Sequence, residues 1–139
     1  MFLKVQQTNL LSGIVTPPSS KSQSIRGLLF ATLACGASSL QNVLQSDDTA
    51  AALEAIQVLG VKVRKSQNAT DGLDLKIESQ GAPFNCSTKD LYTGDSGITT
   101  RFVLPMLGLR ANFDQPVLYN CGLQMQQRPL QPLINALNS

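Results

Sequence analysis

Three short stretches of the chain carry side chains suited to holding an anion. The first is Ser19-Ser20-Lys21-Ser22-Gln23-Ser24-Ile25-Arg26. Hydroxyls and two cations stand there at the foot of an apolar helical pattern. A helix N-terminus offers N–H groups without intrahelical partners and the positive end of the peptide dipole. Phosphates and carboxylates favour such a place. Ser22 and Arg26 lie one turn apart and share a face. The glycines of a Walker-type nucleotide loop are absent. The second stretch is Thr93-Gly94-Asp95-Ser96-Gly97-Ile98-Thr99-Thr100-Arg101. Gly94 and Gly97 let backbone approach a ligand closely where another helix begins. The third is Met125-Gln126-Gln127-Arg128-Pro129, read as a glutamine-rich loop with Arg128 at a helix start and Pro129 in its first turn. Each alone also reads as ordinary: a serine cap with a solvated lysine, a glycine turn, a solvated arginine. Their recurrence points to three helix ends converging on one anionic ligand.

The apolar spacing gives the elements that must position these residues. Residues 2–5 and 13–16 are short β-type runs, and Pro17-Pro18 stops regular pairing. From near Ser22, the residues Ile25, Leu28, Leu29 and Leu33 recur at helical spacing, with Gly36 as the stop. Residues 39–44 read as a strand. Ser46-Asp47-Asp48-Thr49 is an N-cap cluster for a helix over 50–59 that ends at Gly60. Strands over 61–64 and 73–78 flank a polar loop with the hairpin signal Asp71-Gly72. A helix follows over 98–109, with Pro105 inside it, then a strand over 116–120 and a helix over 130–137. Polar turn, helix with an arginine near its start, strand, polar loop, helix: this order occurs twice. Arg26 and Arg101 hold the same place in it, an internal repeat of about 75 residues. The expected division is N-terminal strands over 1–17, a first βαβαββ unit over 18–90, and a second unit over 91–139 that breaks off before its closing strands.

Composition narrows the function classes. The 139 residues suit one ordinary domain, with 42% apolar and 14% charged residues. A net charge of +2 is too weak for a nucleic-acid or membrane surface, and 5% aromatics argue against a base-stacking platform. The absence of histidine removes a Ser-His-Asp triad, a Cys-His pair and the usual histidine zinc sites within the chain. Cys35, Cys86 and Cys121 are odd in number and widely spaced, which reads as reduced, mostly buried thiols of a cytoplasmic protein. The N-terminus lacks a long apolar leader, and no apolar run approaches the ~20 residues needed to span a bilayer.

Pro18-Ser19-Ser20-Lys21-Ser22-x-Ser24-x-Arg26, followed by an apolar helix and Leu44-Gln45-Ser46-Asp47-Asp48, resembles the opening signature of 5-enolpyruvylshikimate-3-phosphate synthases. Gly94-Asp95-Ser96-Gly97-x-x-x-Arg101 resembles their second signature, and Met125-Gln126-Gln127-Arg128-Pro129 their third. The three motifs occur in the family's order and cover nearly the whole chain. The sister family, UDP-N-acetylglucosamine enolpyruvyl transferase, shares the fold. Its opening motif usually has Ala-Lys-Asn where this chain has Ser20-Lys21-Ser22, so it ranks well behind. A non-catalytic phosphate-binding module is the other alternative.

The resemblance implies an α/β fold of βαβαββ repeats, the inside-out α/β barrel type, with about one and a half repeats present. It implies transfer of the enolpyruvyl group of phosphoenolpyruvate to the 5-hydroxyl of shikimate 3-phosphate, a step toward chorismate and the aromatic amino acids, without metal or organic cofactor. Lys21 would contact both substrates, Ser22 and Arg26 would hold shikimate 3-phosphate, and Gly97 and Arg128 would hold phosphoenolpyruvate. Arg101 would support the glycine turn. The family's acid–base carboxylates and lysine lie beyond Ser139, and its N-terminal strand crosses to a second domain. The missing C-terminal part of the enzyme is therefore an implied partner, and this chain alone is expected to have no turnover. Some positions depart from the pattern. Ser19 stands where glycine is common. Asp95 stands where asparagine is common, a charge that weakens anion binding unless it points away or pairs with Lys21 or Arg128. Ile98 and Phe102 stand where threonine and proline are typical, which implies lower sensitivity to glyphosate, a mimic of phosphoenolpyruvate.

Overall fold

Ser20 starts the first helix. Its backbone is extended and its Oγ accepts the Gln23 N–H at 3.4 Å, satisfying one of the free donors of the first turn. In this computed structural model, which describes residues 2–68, 72–112 and 114–139, helix α1 runs Lys21–Leu33 and buries Ile25, Leu28, Leu29, Ala31 and Thr32. It ends at an extended Ala34, before the Gly36 expected as its stop. Gly36 instead lies inside strand β1 (Cys35–Val43) with φ of 113°, a conformation that a side chain would strain. The strand therefore begins four residues earlier than the apolar pattern suggests.

Ser46 and Thr49 form a reciprocal capping box: Ser46 Oγ accepts the Thr49 N–H at 3.3 Å and Thr49 Oγ1 accepts the Ser46 N–H at 3.0 Å. Helix α2 (Asp47–Val58) follows, with Asp47 and Asp48 at the positive end of its dipole. Strands β2 (Lys62–Gln67) and β3 (Leu73–Gln80) pair antiparallel as the hairpin signal predicts, though Asp71 of that signal lies outside the described residues. The sheet order is β1-β3-β2, with Leu40 opposite Leu75 and Val63 opposite Ile77. Leu75, Ile77 and Ser79 alternate inward from β3. Ser79 Oγ donates to Thr32 O at 2.6 Å, and Ser24 Oγ accepts the Leu44 N–H at 3.0 Å; these two bonds tie both ends of α1 to its surroundings.

The second half opens on a strand the apolar pattern does not reveal, β4 (Asp90–Tyr92). Helix α3 (Gly97–Leu107) crosses from it to β5 (Leu118–Asn120), which pairs parallel with β4. Pro105 lies inside α3, which ends two residues short of the expected 109. The supposed glutamine-rich loop is a single helical turn, α4 (Leu123–Gln126). Helix α5 (Gln131–Leu137) has Pro132 in its first turn rather than Pro129, so Arg128 lies between two helices and not at a helix start. One apolar core joins α1, α2 and α3 to β3, with Leu28, Ile56, Leu75, Ile77 and Val103 fully enclosed.

Three further expectations are corrected. Residues 2–17 form neither helix nor strand and are exposed, with Phe2, Leu3 and Ile14 fully or nearly fully open. A β-type run needs a ladder partner, and among the described residues none pairs with these. Arg26 and Arg101 do not hold the same place: counted from the caps Ser20 and Ser96, Arg26 is six residues on and Arg101 five. One residue turns a helix by about 100°, so Arg26 is exposed while Arg101 is half-buried. The three cysteines are free but not mostly buried, for Cys35 is exposed and Cys86 and Cys121 are half-buried. Among the described residues no helix is long and apolar enough to cross a membrane.

Candidate functional site

A buried polar bundle fixes the turn from β4 into α3. Ser96 Oγ accepts from the Thr99 N–H at 3.3 Å and from the Thr99 hydroxyl at 2.8 Å. Thr93 and Thr100 share a hydroxyl hydrogen bond at 2.8 Å, and the Thr100 hydroxyl donates to Ser96 O at 2.9 Å. The Tyr119 hydroxyl donates to Thr100 O at 2.6 Å. Burial pushes that hydroxyl well above the usual tyrosine range, outweighing the opposing hydrogen bond with Thr93. Tyr119 thus stays a donor through the physiological range, and the start of α3 is held from three sides.

On this base sits Gly97, the first residue of α3. A Cβ placed on Gly97 would lie 2.9 Å from Arg101 Nη1, 3.2 Å from Arg128 Nη1 and 3.8 Å from Met125 Sδ. Two guanidinium groups therefore meet over its bare Cα. Arg101 Nη1 also faces Gly97 O at 3.4 Å. Lys21, the first residue of α1, lines the same cleft, and its Nζ lies 2.7 Å from Asp48 Oδ2. The open cleft has a volume of about 490 Å³. Its charged lining is Lys21, Arg101 and Arg128 against Asp48 and Asp95, a surplus of one positive charge.

Of the residues singled out in the sequence, Lys21, Gly97 and Arg128 come together here. Arg101, read as a support for the turn, has its guanidinium in the cleft as well. Ser22 and Arg26 are not among the lining residues. Lys21 and Ile25 form the stripe of α1 that faces the cleft, and Ser22 and Arg26 form the next stripe round. Arg26 opens on a neighbouring apolar groove of about 330 Å³ with Leu29, Phe30 and Leu109. Phe102 borders both cavities.

Asp95 does something the sequence did not suggest. Its Oδ1 accepts the Met125 N–H at 3.1 Å, shared with Gly122 O at 3.0 Å, and so adds a cap to α4 from outside that helix. Gly122, the cap residue of α4, has no side chain to do this, and a Cβ there would collide with the Asp95 carboxylate. No local pattern signals a cap 30 residues away.

Comparison with known proteins follows the same lines. The family model described as EPSP synthase (3-phosphoshikimate 1-carboxyvinyltransferase) matches residues 5–139. The 3-phosphoshikimate 1-carboxyvinyltransferase of Hamiltonella defensa is 37% identical over 136 residues, which is 97% of this chain and 30% of that protein. The pentafunctional AROM polypeptide of Yarrowia lipolytica is 36% identical over 126 residues, 90% of this chain and 8% of that one. The solved EPSP synthase of Acinetobacter baumannii is similar in fold, with a TM-score of 0.76 and 24% identity over 91% of this chain and 27% of that chain. The α/β arrangement is thus part of that enzyme's fold. The chain spans 30% or less of the length of these relatives.

Proposed function

This chain belongs to the EPSP synthase family, and we propose that its cleft is part of a site where an enolpyruvyl group passes from phosphoenolpyruvate to the 5-hydroxyl of shikimate 3-phosphate. The observation that carries the reading is the meeting of Arg101 and Arg128 over Gly97, with Lys21 in the same cleft. Phosphoenolpyruvate brings a phosphate and a carboxylate. Gly97, lacking a Cβ, lets one of them reach the free N–H groups of the first turn of α3. Arg128 grips it with the planar fork that suits such groups. Lys21 stands between the two substrates. Ser22 and Arg26, one stripe round on α1, hold shikimate 3-phosphate.

The reaction is addition followed by elimination. The 5-hydroxyl gives up its proton and attacks C2 of phosphoenolpyruvate as C3 takes a proton. The tetrahedral intermediate then loses phosphate from C2 and a proton from C3, which restores the double bond. The cations of the cleft lower the repulsion between the substrates and stabilise the departing phosphate. The acid–base groups belong, on this reading, to the part of the full-length relatives that this chain does not span. The chain alone then binds without turning over. A cytoplasmic setting and the absence of a cofactor are parts of the same proposal.

The test is a titration of the isotopically labelled chain with phosphoenolpyruvate and with shikimate 3-phosphate, followed by NMR, with inorganic phosphate as control. Saturable shifts at Lys21, Gly97 and Arg128 with phosphoenolpyruvate, and at Ser22 and Arg26 with shikimate 3-phosphate, are the expected result. A well-dispersed spectrum in which neither substrate moves these signals more than inorganic phosphate does would remove the reading for this chain.

A further inference from the structure

We infer that Asp95 is a positioning residue: by capping α4 it holds Arg128 against Gly97. The inference rests on the anion-binding reading of the cleft. Asp95 is exposed and lines a cleft with a positive surplus, where its own charge opposes an anionic ligand. Its geometry gives it a different task. Helix α4 has only four residues, too few to hold a helical turn unaided. Its anchors from outside the helix come from the turn before α3. Gly122 N–H donates to Gly94 O at 2.8 Å, and the Met125 N–H, which also donates to Gly122 O at 3.0 Å, is shared with Asp95 Oδ1 at 3.1 Å. Met125 is fully buried, with its Sδ over Gly97. The Arg128 N–H then donates to Met125 O at 3.0 Å. Arg128 therefore hangs from a turn whose start is fixed by Asp95, and its guanidinium returns to the residue that opens α3. Gly122 leaves room for this carboxylate, with which a Cβ at that position would collide.

Charge and position make opposite demands, and substitution separates them. Asp95→Asn removes the charge and keeps an acceptor oxygen. Asp95→Ala removes both. Asp95→Glu keeps the charge and moves the carboxylate by one methylene. If Asp95 acts through its charge alone, Asn and Ala tighten anion binding equally and Glu resembles the parent. If it positions Arg128, Ala and Glu weaken binding and Asn does not.

The experiment uses the whole chain, with phosphoenolpyruvate as the probe. Three quantities are read: the dissociation constant, hydrogen exchange of the Met125 amide, and the order of the Arg128 Nε–H vector without ligand. Expected for Asp95→Ala are binding weaker by roughly fivefold, faster exchange at Met125 and loss of order at Arg128, with Asp95→Asn at or tighter than the parent affinity. Asp95→Ala binding as tightly as Asp95→Asn overturns the inference, and so does unchanged Arg128 order in Asp95→Ala. Should Asp95→Ala fail to fold, Asp95→Glu decides by the same readings. If the parent chain does not bind phosphoenolpyruvate, the anion-binding reading fails, and Arg128 order in the variants still decides the positioning role.

Discussion

Lys21 Nζ meets Asp48 Oδ2 at 2.7 Å and so joins the first turn of α1 to the first turn of α2 at the edge of the cleft. Lys21 keeps about half of its side chain exposed (54%), so the pair is worth at most about 1 kcal/mol. An anion in the cleft competes with Asp48 for the same ammonium. Asp48→Asn should therefore raise the affinity for phosphoenolpyruvate by roughly two- to fivefold and lower stability by less than about 1 kcal/mol. Calorimetric titration and thermal unfolding measure the two effects. A weaker affinity would mean that Asp48 orients Lys21 for the ligand instead of sharing it.

Gly97→Ala should separate folding from binding. Gly97 is helical, without a positive φ, and the nearest atoms to a new Cβ are the ends of the flexible side chains Arg101 and Arg128. Those ends can move. Replacing a helical glycine in this way leaves stability unchanged or raises it by about 0.4–1 kcal/mol. Yet the methyl group occupies the place where the two guanidiniums and the anion meet. Phosphoenolpyruvate affinity should fall by roughly tenfold or more, while the melting temperature holds. A drop in both would assign Gly97 to folding.

Tyr119 gives a pH-dependent test. Its folded-state pKa lies above the unfolded value because burial disfavours the phenolate. The folded state thus retains the proton where the unfolded state has lost it. The stability this provides is fully present below the unfolded pKa of about 10 and declines as pH rises above it. Tyr119→Phe also loses the hydrogen bond to Thr100 O, so at pH 8 it should be about 1 kcal/mol less stable than the parent. Toward pH 11 the difference should shrink, because only the parent pays for keeping this proton. Denaturant unfolding at both pH values checks it, and a constant difference would place the Tyr119 hydroxyl in solvent.

Much of this fold is legible in the sequence where the signal is local. The serine-rich stretch before α1 and the Ser46–Thr49 cluster before α2 announce these helices to within a few residues, because a hydroxyl beside an apolar stripe has a nearby N–H to accept from; the caps themselves are Ser20 and Ser46. The β2–β3 pairing is legible for the same reason, since its turn joins adjacent segments. What is hidden depends on distant partners. Strand β4 has three residues and one buried side chain, Leu91, too little to show a period. Helix α4 depends on Asp95, and its glutamines resemble a loop until that carboxylate is in place. The convergence of Lys21, Gly97 and Arg128 could be suspected from three recurring motifs. The turn of α1 that places Arg26 on another face could not be, because an approximate repeat does not fix a helix to within one residue.

The proposed function predicts that Arg26 of α1 and Arg128, between α4 and α5, serve different ligands. Arg128 reaches the cleft over Gly97, whereas Arg26 borders the adjoining groove. Both are exposed, so neither supports the core, and replacement by alanine should change stability by no more than about 0.5 kcal/mol. Binding should then divide. Arg128→Ala should weaken phosphoenolpyruvate by roughly tenfold, since a charge-assisted hydrogen bond is worth about 1.5–3 kcal/mol, and should leave shikimate 3-phosphate within about twofold. Arg26→Ala should do the reverse. Arg128→Lys should recover only part of the loss, because an ammonium cannot form the paired contact of a guanidinium. Titrations of the three variants with each ligand test the assignment. Equal losses for both ligands in Arg26→Ala and Arg128→Ala would mean one shared anion field rather than two neighbouring sites. The division of α1 into a phosphoenolpyruvate stripe and a shikimate 3-phosphate stripe would then be wrong.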